Sequence, residues 1–153
     1  MRGEMLSEDY EKYYNSQLKE GNEYQDYILN KFIKNGICFI NYSTRKYQNK
    51  YGENSAGIEI KLDKKFRETG NLYIETAEKS NPINVYYIKS GIFRNDNTWL
   101  YVIGDYDTHW IFSKKRLINI YKTNIFRAVQ TDTSQGYLLP ISKANKYCMN
   151  ILK

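Results

Sequence analysis

At 153 residues, 41% hydrophobic and 26% charged, the chain has the content of one folded domain (residues 1–153) and excludes a disordered or low-complexity protein. Two cysteines, Cys38 and Cys148, are too few and too far apart for a zinc site; both stand among apolar residues and are expected as buried thiols in a reducing compartment. No apolar run approaches the roughly 20 residues of a membrane span and residues 1–11 lack a signal-peptide core, so a cytoplasmic protein without a membrane role is expected, its net charge of +6 biased toward polyanions.

Taken in order, Ser7 reads as a helix N-cap with Glu8 and Asp9 in the first turn, and Leu6, Tyr10, Tyr13, Tyr14 and Leu18 form a stripe interrupted at Gly21. A second helix opens at Asn22 with Gln25 placed for a capping box. Tyr24, Tyr27, Ile28 and Phe32 are its apolar face, and Asn35 and Gly36 end it. Residues 37–40 (Ile-Cys-Phe-Ile) read as a short buried strand. Residues 41–56 are polar, with Arg45, Lys46, Gln48 and Lys50 interleaved among Tyr42, Tyr47 and Tyr51. Arg and Lys neutralise phosphate and tyrosine rings stack on bases, so this segment is a candidate nucleic-acid contact; a solvated loop has the same composition.

The chain is organised around residues 57–79. Ile58, Ile60 and Leu62 alternate with Glu59, Lys61 and Asp63, the pattern of a half-buried strand whose charged side chains share one face, about 6.8 Å apart. Residues 64–70 suit a hairpin turn, and Leu72 and Ile74 alternate with Tyr73 and Glu75 in a second strand. In the simplest antiparallel register Glu75 faces Glu59, with Cβ atoms roughly 5 Å apart. Carboxylates that close repel, and a divalent cation between them removes the penalty. The plainer reading is an amphipathic surface strand in which Lys61 neutralises Glu59 and Asp63.

Beyond it, Asn81 and Pro82 mark a boundary, and residues 83–90 fit a short helix or an irregular strand. Residues 99–103 read as a strand with residues 109–112 as its hairpin partner. His109, the single histidine, is expected as a strand residue rather than a base. Ser113 caps a helix carrying Lys114, Lys115 and Arg116, a triplet suited to backbone phosphates or simply to solvent. Residues 125–129 read as a strand, residues 131–136 as a turn, and Ser142 as the cap of a last helix with the stripe Ala144, Tyr147, Cys148 and Ile151.

The sequence Gly57-Ile-Glu-Ile-Lys-Leu-Asp63, followed by Thr69-Gly-Asn-Leu-Tyr-Ile-Glu75, resembles the core of the PD-(D/E)xK nuclease superfamily, in particular small phage and restriction-type members. The resemblance covers residues 57–79 specifically and the rest loosely. It implies an α/β (α+β) fold with a central mixed sheet flanked by helices, a restriction-endonuclease-like core. It further implies an endonuclease that hydrolyses phosphodiester bonds, in DNA first, with Mg²⁺ or Mn²⁺ held by Glu59 and Glu75 and completed by Asp63 or Glu53, and with Lys61 in the chemical step. The usual Pro-Asp is missing. Either Glu53 replaces that Asp, or the motif shifts one strand along, with Glu59 or Asp63 as first acid, Glu75 opening the second, Ala77 at the lysine position and Lys79 reaching in. An acid from the first core helix, Glu23 here, sometimes joins the site; a charge on the helix dipole is the plainer and preferred account of it. The competing expectation is a nuclease fold that no longer cuts, used as a nucleic-acid-binding module or a phage-encoded inhibitor of a host protein complex; a homodimer is compatible with either.

Overall fold

The computed structural model describes residues 2–38 and 40–153, with side chains from residue 9 onward. Helix α1 (Arg2–Lys34) is one continuous helix of 33 residues, about 50 Å long. Gly21 therefore does not interrupt it: a lone glycine costs only about 1 kcal/mol relative to alanine, and Lys19, Glu20, Glu23 and Gln25 around it favour helix. Ser7 lies inside the helix rather than at its cap; the side chains of Leu6, Ser7 and Glu8 are outside the described ones.

After α1 come α2 (Arg45–Tyr51), β1 (Ile58–Leu62), α3 (Phe66–Thr69), β2 (Asn71–Glu78), β3 (Ile88–Lys89) and a 3₁₀ turn at Gly91–Phe93. Then follow β4 (Leu100–Gly104), β5 (His109–Ser113), α4 (Lys114–Lys122), β6 (Ala128–Gln130), β7 (Ser134–Pro140), α5 (Ile141–Tyr147) and β8 (Asn150–Leu152). The protein is α+β, with two four-stranded sheets. The first, in the order β1-β4-β5-β8, is mixed: β1 runs parallel to β4, and the other neighbours are antiparallel. The second, β3-β2-β7-β6, is antiparallel throughout.

Period-two alternation decides what each face meets. On the first sheet Ile58, Ile60 and Val102 turn to α1 and bury Tyr24 and Ile28, with Tyr27, Leu29 and Phe32 packed around them. Tyr101, Ile103, Trp110 and Phe112 turn the other way and meet Leu72, Ile74, Tyr137 and Leu139 of the second sheet, joined by Leu117 and Ile120 of α4 and Ala144 of α5. Polar contacts lock α1 in place as well. His109, fully buried on β5, has Tyr24 Oη 2.7 Å from Nδ1 and Lys31 Nζ 3.0 Å from Nε2. An ammonium only donates, so Nε2 accepts and Nδ1 carries the proton toward Tyr24. His109 is thus a strand residue, as expected, and its two ring nitrogens hold the helix.

Several sequence expectations give way here. The hairpin of residues 57–79 does not form: all five residues of β1 pair with β4, and β2 pairs with β7 and β3. Glu75 consequently has Gly136, not Glu59, opposite it. Residues 63–70 contain a helical turn that buries Phe66, and this turn carries the chain from one sheet to the other. Alternation fixes which face a side chain takes but not which strand lies alongside. Residues 37–40 are not a buried strand: Ile37, Cys38 and Ile40 are exposed, and Phe39 lies outside the described residues. Cys148 is only partly buried, so neither thiol is the core residue expected. The last helix stops at Tyr147, started by Pro140 rather than Ser142, and Ile151 sits on β8 because residues 150–152 pair with β5. Strand β6 begins at Ala128, leaving Ile125 exposed, and β7 takes in Ser134, Gln135 and Gly136 of the expected turn. In residues 83–90 only Ile88 and Lys89 form strand.

Candidate active site at the open edge of the mixed sheet

Strand β1 is an edge strand, and side chains close its free edge where a neighbouring strand would otherwise pair. Asn54 accepts the Ile58 N–H through Oδ1 (3.0 Å) and donates through Nδ2 to the Ile58 carbonyl (2.6 Å), and Glu53 Oε2 accepts the Ile60 N–H (3.0 Å). Gly52 allows this approach. Its φ is +103°, and a Cβ there would stand 1.9 Å from Asn97 Oδ1. Asn97 in turn donates to the Asn54 carbonyl (2.8 Å). Glu53 is thereby brought, almost completely buried, against β1.

On the face of β1 turned toward the second sheet stand Glu59 and Lys61, as the alternation requires. The Glu59 carboxylate is buried and, among the described residues, neither oxygen has a hydrogen-bond partner of good geometry; its neighbour is Lys61, with Nζ 2.8 Å from Oε1. Burial and the adjacent Glu59 charge push the Glu53 carboxyl up to about 7, against the opposing pull of Lys61, the Ile60 N–H and Arg94. For Lys61 burial alone would lower the pKa, but Glu59, Glu53 and Glu75 outweigh it and hold the ammonium charged well above its ordinary value. Glu75 comes from β2 in the other sheet, where Ser90 Oγ donates to Oε1 (2.8 Å) and Ser134 Oγ lies 3.4 Å from Oε2. Gly91 lets the 3₁₀ turn close over this residue: at φ +50° it lies so near that a Cβ would sit 2.2 Å from the Glu75 carbonyl oxygen.

The sequence-predicted residues therefore separate into those that meet and those that do not. Glu53, Glu59, Lys61 and Glu75 interact electrostatically across the two sheets, although not through a hairpin. Asp63 is engaged elsewhere: Oδ1 accepts the N–H groups of Lys65 (2.9 Å) and Phe66 (3.1 Å), and Oδ2 accepts that of Tyr73 (2.9 Å). Lys79 lies over the Tyr87 ring, 4.5 Å from its centroid, and Glu23 is exposed and paired loosely with Lys19 (3.9 Å). Two charged residues that sequence reasoning passed over belong to the cluster. Arg94 interacts with Glu59, Glu75 and Asp96 and donates to Glu78 Oε1 (3.0 Å). Both follow or precede unremarkable residues in the sequence, and only the packing of the 3₁₀ turn against β2 reveals them.

Two clefts share Lys61 as a wall. The smaller, about 260 Å³, is lined by Glu53, Glu78 and Arg94 together with Arg45 and Gln48 of α2. The larger, about 470 Å³, lies between the sheets and includes Tyr73, Glu75, Tyr101 and Leu138. Of the expected phosphate-binding residues, Arg45 stacks over Tyr14 (5.1 Å), Lys50 over Tyr51 (4.8 Å) and Arg116 over Tyr147 (5.4 Å), while Lys46 and Lys115 are exposed. Lys114 is a structural group: it is mostly buried, donating to the Arg94 carbonyl (2.6 Å) and to Asp96 Oδ1 (3.3 Å).

Among the described residues, no group of three or more His, Cys, Asp or Glu side chains is arranged to hold a metal ion. A Mg²⁺ site needs less, because that ion is commonly held by one or two carboxylates with water and substrate phosphate. Among the same residues no helix is long and apolar enough to cross a membrane. Comparison of the chain with protein-family models, with curated proteins and with solved structures finds no match.

Proposed function

We propose that this cluster hydrolyses phosphodiester bonds in nucleic acid, DNA in the first instance, with Mg²⁺ or Mn²⁺. One observation carries the reading: Glu59 is a buried carboxylate whose oxygens have no hydrogen-bond partner of good geometry among the described residues, set beside a second buried carboxyl, Glu53, with the Lys61 ammonium 2.8 Å from Oε1 as counter-ion. A buried anion in that state is costly, and a divalent cation offsets the cost. The residues fit such an ion. Glu59 would hold it, with Glu53 as second carboxylate. When bound, a divalent ion supplies Lewis-acid polarisation of the scissile phosphate and a lowered pKa for the attacking water. Lys61, kept charged by three carboxylates, stabilises the negative charge that builds on the phosphate oxygens. Glu75, tied to Ser90 and Ser134, lines the larger cleft beside Lys61. Arg45 and Gln48 on the wall of the smaller cleft, with Lys46 and Lys50 on the same helix, orient the strand through its phosphates. The likeness to PD-(D/E)xK enzymes, with Glu53 in the upstream acid position and Glu59-x-Lys61 as the second motif, belongs to this proposal, as does a restriction-endonuclease-like core.

A second reading, a binding module that does not cut, is favoured by one specific observation. Lys61 already serves Glu59 as counter-ion at 2.8 Å, and Asp63 is held by three N–H groups. Calorimetric titration with Mn²⁺ separates the two. The hydrolytic reading expects one site in the wild type, lost in Glu59→Gln; identical isotherms, or none in either protein, would leave only the binding module, whose partner is nucleic acid or a protein complex.

A further inference from the structure

We propose that the larger cleft takes one unpaired nucleotide of a single strand, with its base between the sheets and its phosphate at the lysine rim, and that it does so without regard to base identity. The inference rests on the nucleic-acid reading above and names the form of substrate.

At about 470 Å³ the cleft is within the range of small-molecule sites, about 300–1,000 Å³. Its wall is apolar and aromatic where the sheets face each other, at Tyr73, Val129 and Leu138, and its rim carries Lys65 and Lys64, the latter paired with Glu20, beside Lys61. A flat apolar body carrying an anion at one end matches that arrangement, and a nucleotide has this shape. A base still paired in a duplex cannot enter a cleft between two sheets, so the nucleotide must be unpaired.

Indifference to the base follows from how the polar lining is used. Tyr73 Oη shares a 2.5 Å hydrogen bond with Ser134 Oγ, and Asn71 Nδ2 donates to the Thr69 carbonyl at 2.6 Å. Asp63 accepts three backbone N–H groups, and Glu75 is engaged by Ser90 and Ser134. Side chains so engaged do not read the edge of a base. Tyr101 Oη, buried in the same lining, has no hydrogen-bond partner among the described residues, but a hydroxyl both donates and accepts and so suits the edge of any base. With it act stacking on an aromatic wall and charge at the rim, which treat every nucleotide alike.

The test is fluorescence anisotropy with labelled single-stranded DNA hexanucleotides in EDTA, so that no arm depends on metal or cleavage. The ordinary hexanucleotide should bind about tenfold or more tightly than one with every base removed and every phosphate kept. Hexanucleotides of A, C or T alone should bind within about threefold of one another. Val129→Trp, on edge strand β6, should fill the cleft and reduce affinity about tenfold with an unchanged melting temperature; Leu138→Trp serves if the first variant does not fold. Equal binding of the abasic strand or of the matching duplex, or wild-type affinity in a folded, cleft-filled variant, would overturn the proposal. A free 5′-mononucleotide binding as tightly as the hexanucleotide would assign the cleft to free nucleotides and overturn the single-strand assignment. A protein that passes these tests yet never cuts would refute hydrolysis alone; one that cuts but ignores the bases would refute this inference alone.

Discussion

Replacing Glu53 by Gln should make the protein more stable, by an amount that grows as the pH rises from 4.5 to about 7 and is constant above. The glutamine keeps an acceptor oxygen for the Ile60 N–H but removes a charge that is both buried and beside Glu59. A carboxyl whose folded pKa is raised from 4.5 to about 7 binds its proton more tightly folded than unfolded. Its contribution is therefore complete below pH 4.5 and is lost as the pH climbs through 7. At about 1.4 kcal/mol per tenfold in proton affinity, that loss is at most about 3.5 kcal/mol. His109 acts with the opposite sign. Burial, then the Lys31 charge, lowers it from 6.5 to about 4, so the unfolded chain protonates first and stability falls as the pH drops from 6.5 toward 4. Between pH 4.5 and 6.5 the two effects largely cancel in the wild type, and the variant exposes the His109 slope. Urea denaturation from pH 4 to 8 in EDTA measures both proteins. The expected difference is near zero at pH 4 and grows to about 1–3 kcal/mol in favour of Glu53→Gln at pH 8. A difference that does not vary with pH, or one that favours the wild type as the pH rises, would show that Lys61 and Arg94 more than compensate the Glu53 charge, and the reasoning would fail.

Gly21→Ala should raise the melting temperature by about 2–4 °C, because a Cβ there meets nothing within 4 Å and alanine favours helix by roughly 1 kcal/mol. Lys114→Ala should destabilise the fold by about 2–4 kcal/mol by removing the ammonium 3.3 Å from the buried Asp96 carboxylate and leaving Arg94 as its remaining cation, as read by urea denaturation. Lys115→Ala should instead leave stability within about 0.5 kcal/mol and, if its ammonium meets a phosphate, lower the slope of log affinity against log salt by about 0.7–0.9. Leu72→Ala, in the fully buried core between the sheets, should cost about 2–5 kcal/mol by the same denaturation assay.

What the sequence disclosed depended on whether the signal was local. The faces of β1 and β2, the β4–β5 hairpin and the Ser113 cap of α4 are each set by a few neighbouring residues, and each is found where the pattern puts it. The partner of β1 is not local. A seven-residue link between alternating strands reads as a hairpin until Phe66 is seen to bury itself and turn the chain into the other sheet. The same limit applies to the site. Glu53, Glu59, Lys61 and Glu75 were legible because they carry charge around one strand pattern, yet the contacts among them arise from packing between sheets. Asp63 shares the residue type and spacing of its neighbours, and only the N–H groups of the following turn and of Tyr73 divert it. Arg94 and Glu78 had no local signature, since the 3₁₀ turn that brings Arg94 to β2 depends on Gly91 touching Glu75 across a gap of 16 residues. The exposure of residues 37–40 was hidden for the converse reason: the run is apolar enough for a core strand, but the Ile37 N–H bonds back to the Phe32 carbonyl at the end of α1 and the Ile40 carbonyl accepts the Ser55 N–H, so neither joins a sheet.

The most direct test of a hydrolytic site is single-turnover cleavage of a mixed panel of single-stranded, duplex and RNA oligonucleotides, with Mg²⁺ or Mn²⁺ and with EDTA, comparing the wild type with Lys61→Met. Methionine keeps most of the side-chain bulk and removes the charge that Glu59, Glu53 and Glu75 surround. Cleavage by the wild type that needs the metal, falling about 100-fold or more in Lys61→Met while affinity stays within about threefold, is the expected result. Binding by the wild type without metal-dependent cutting of any strand, or equal rates in the two proteins, would contradict it.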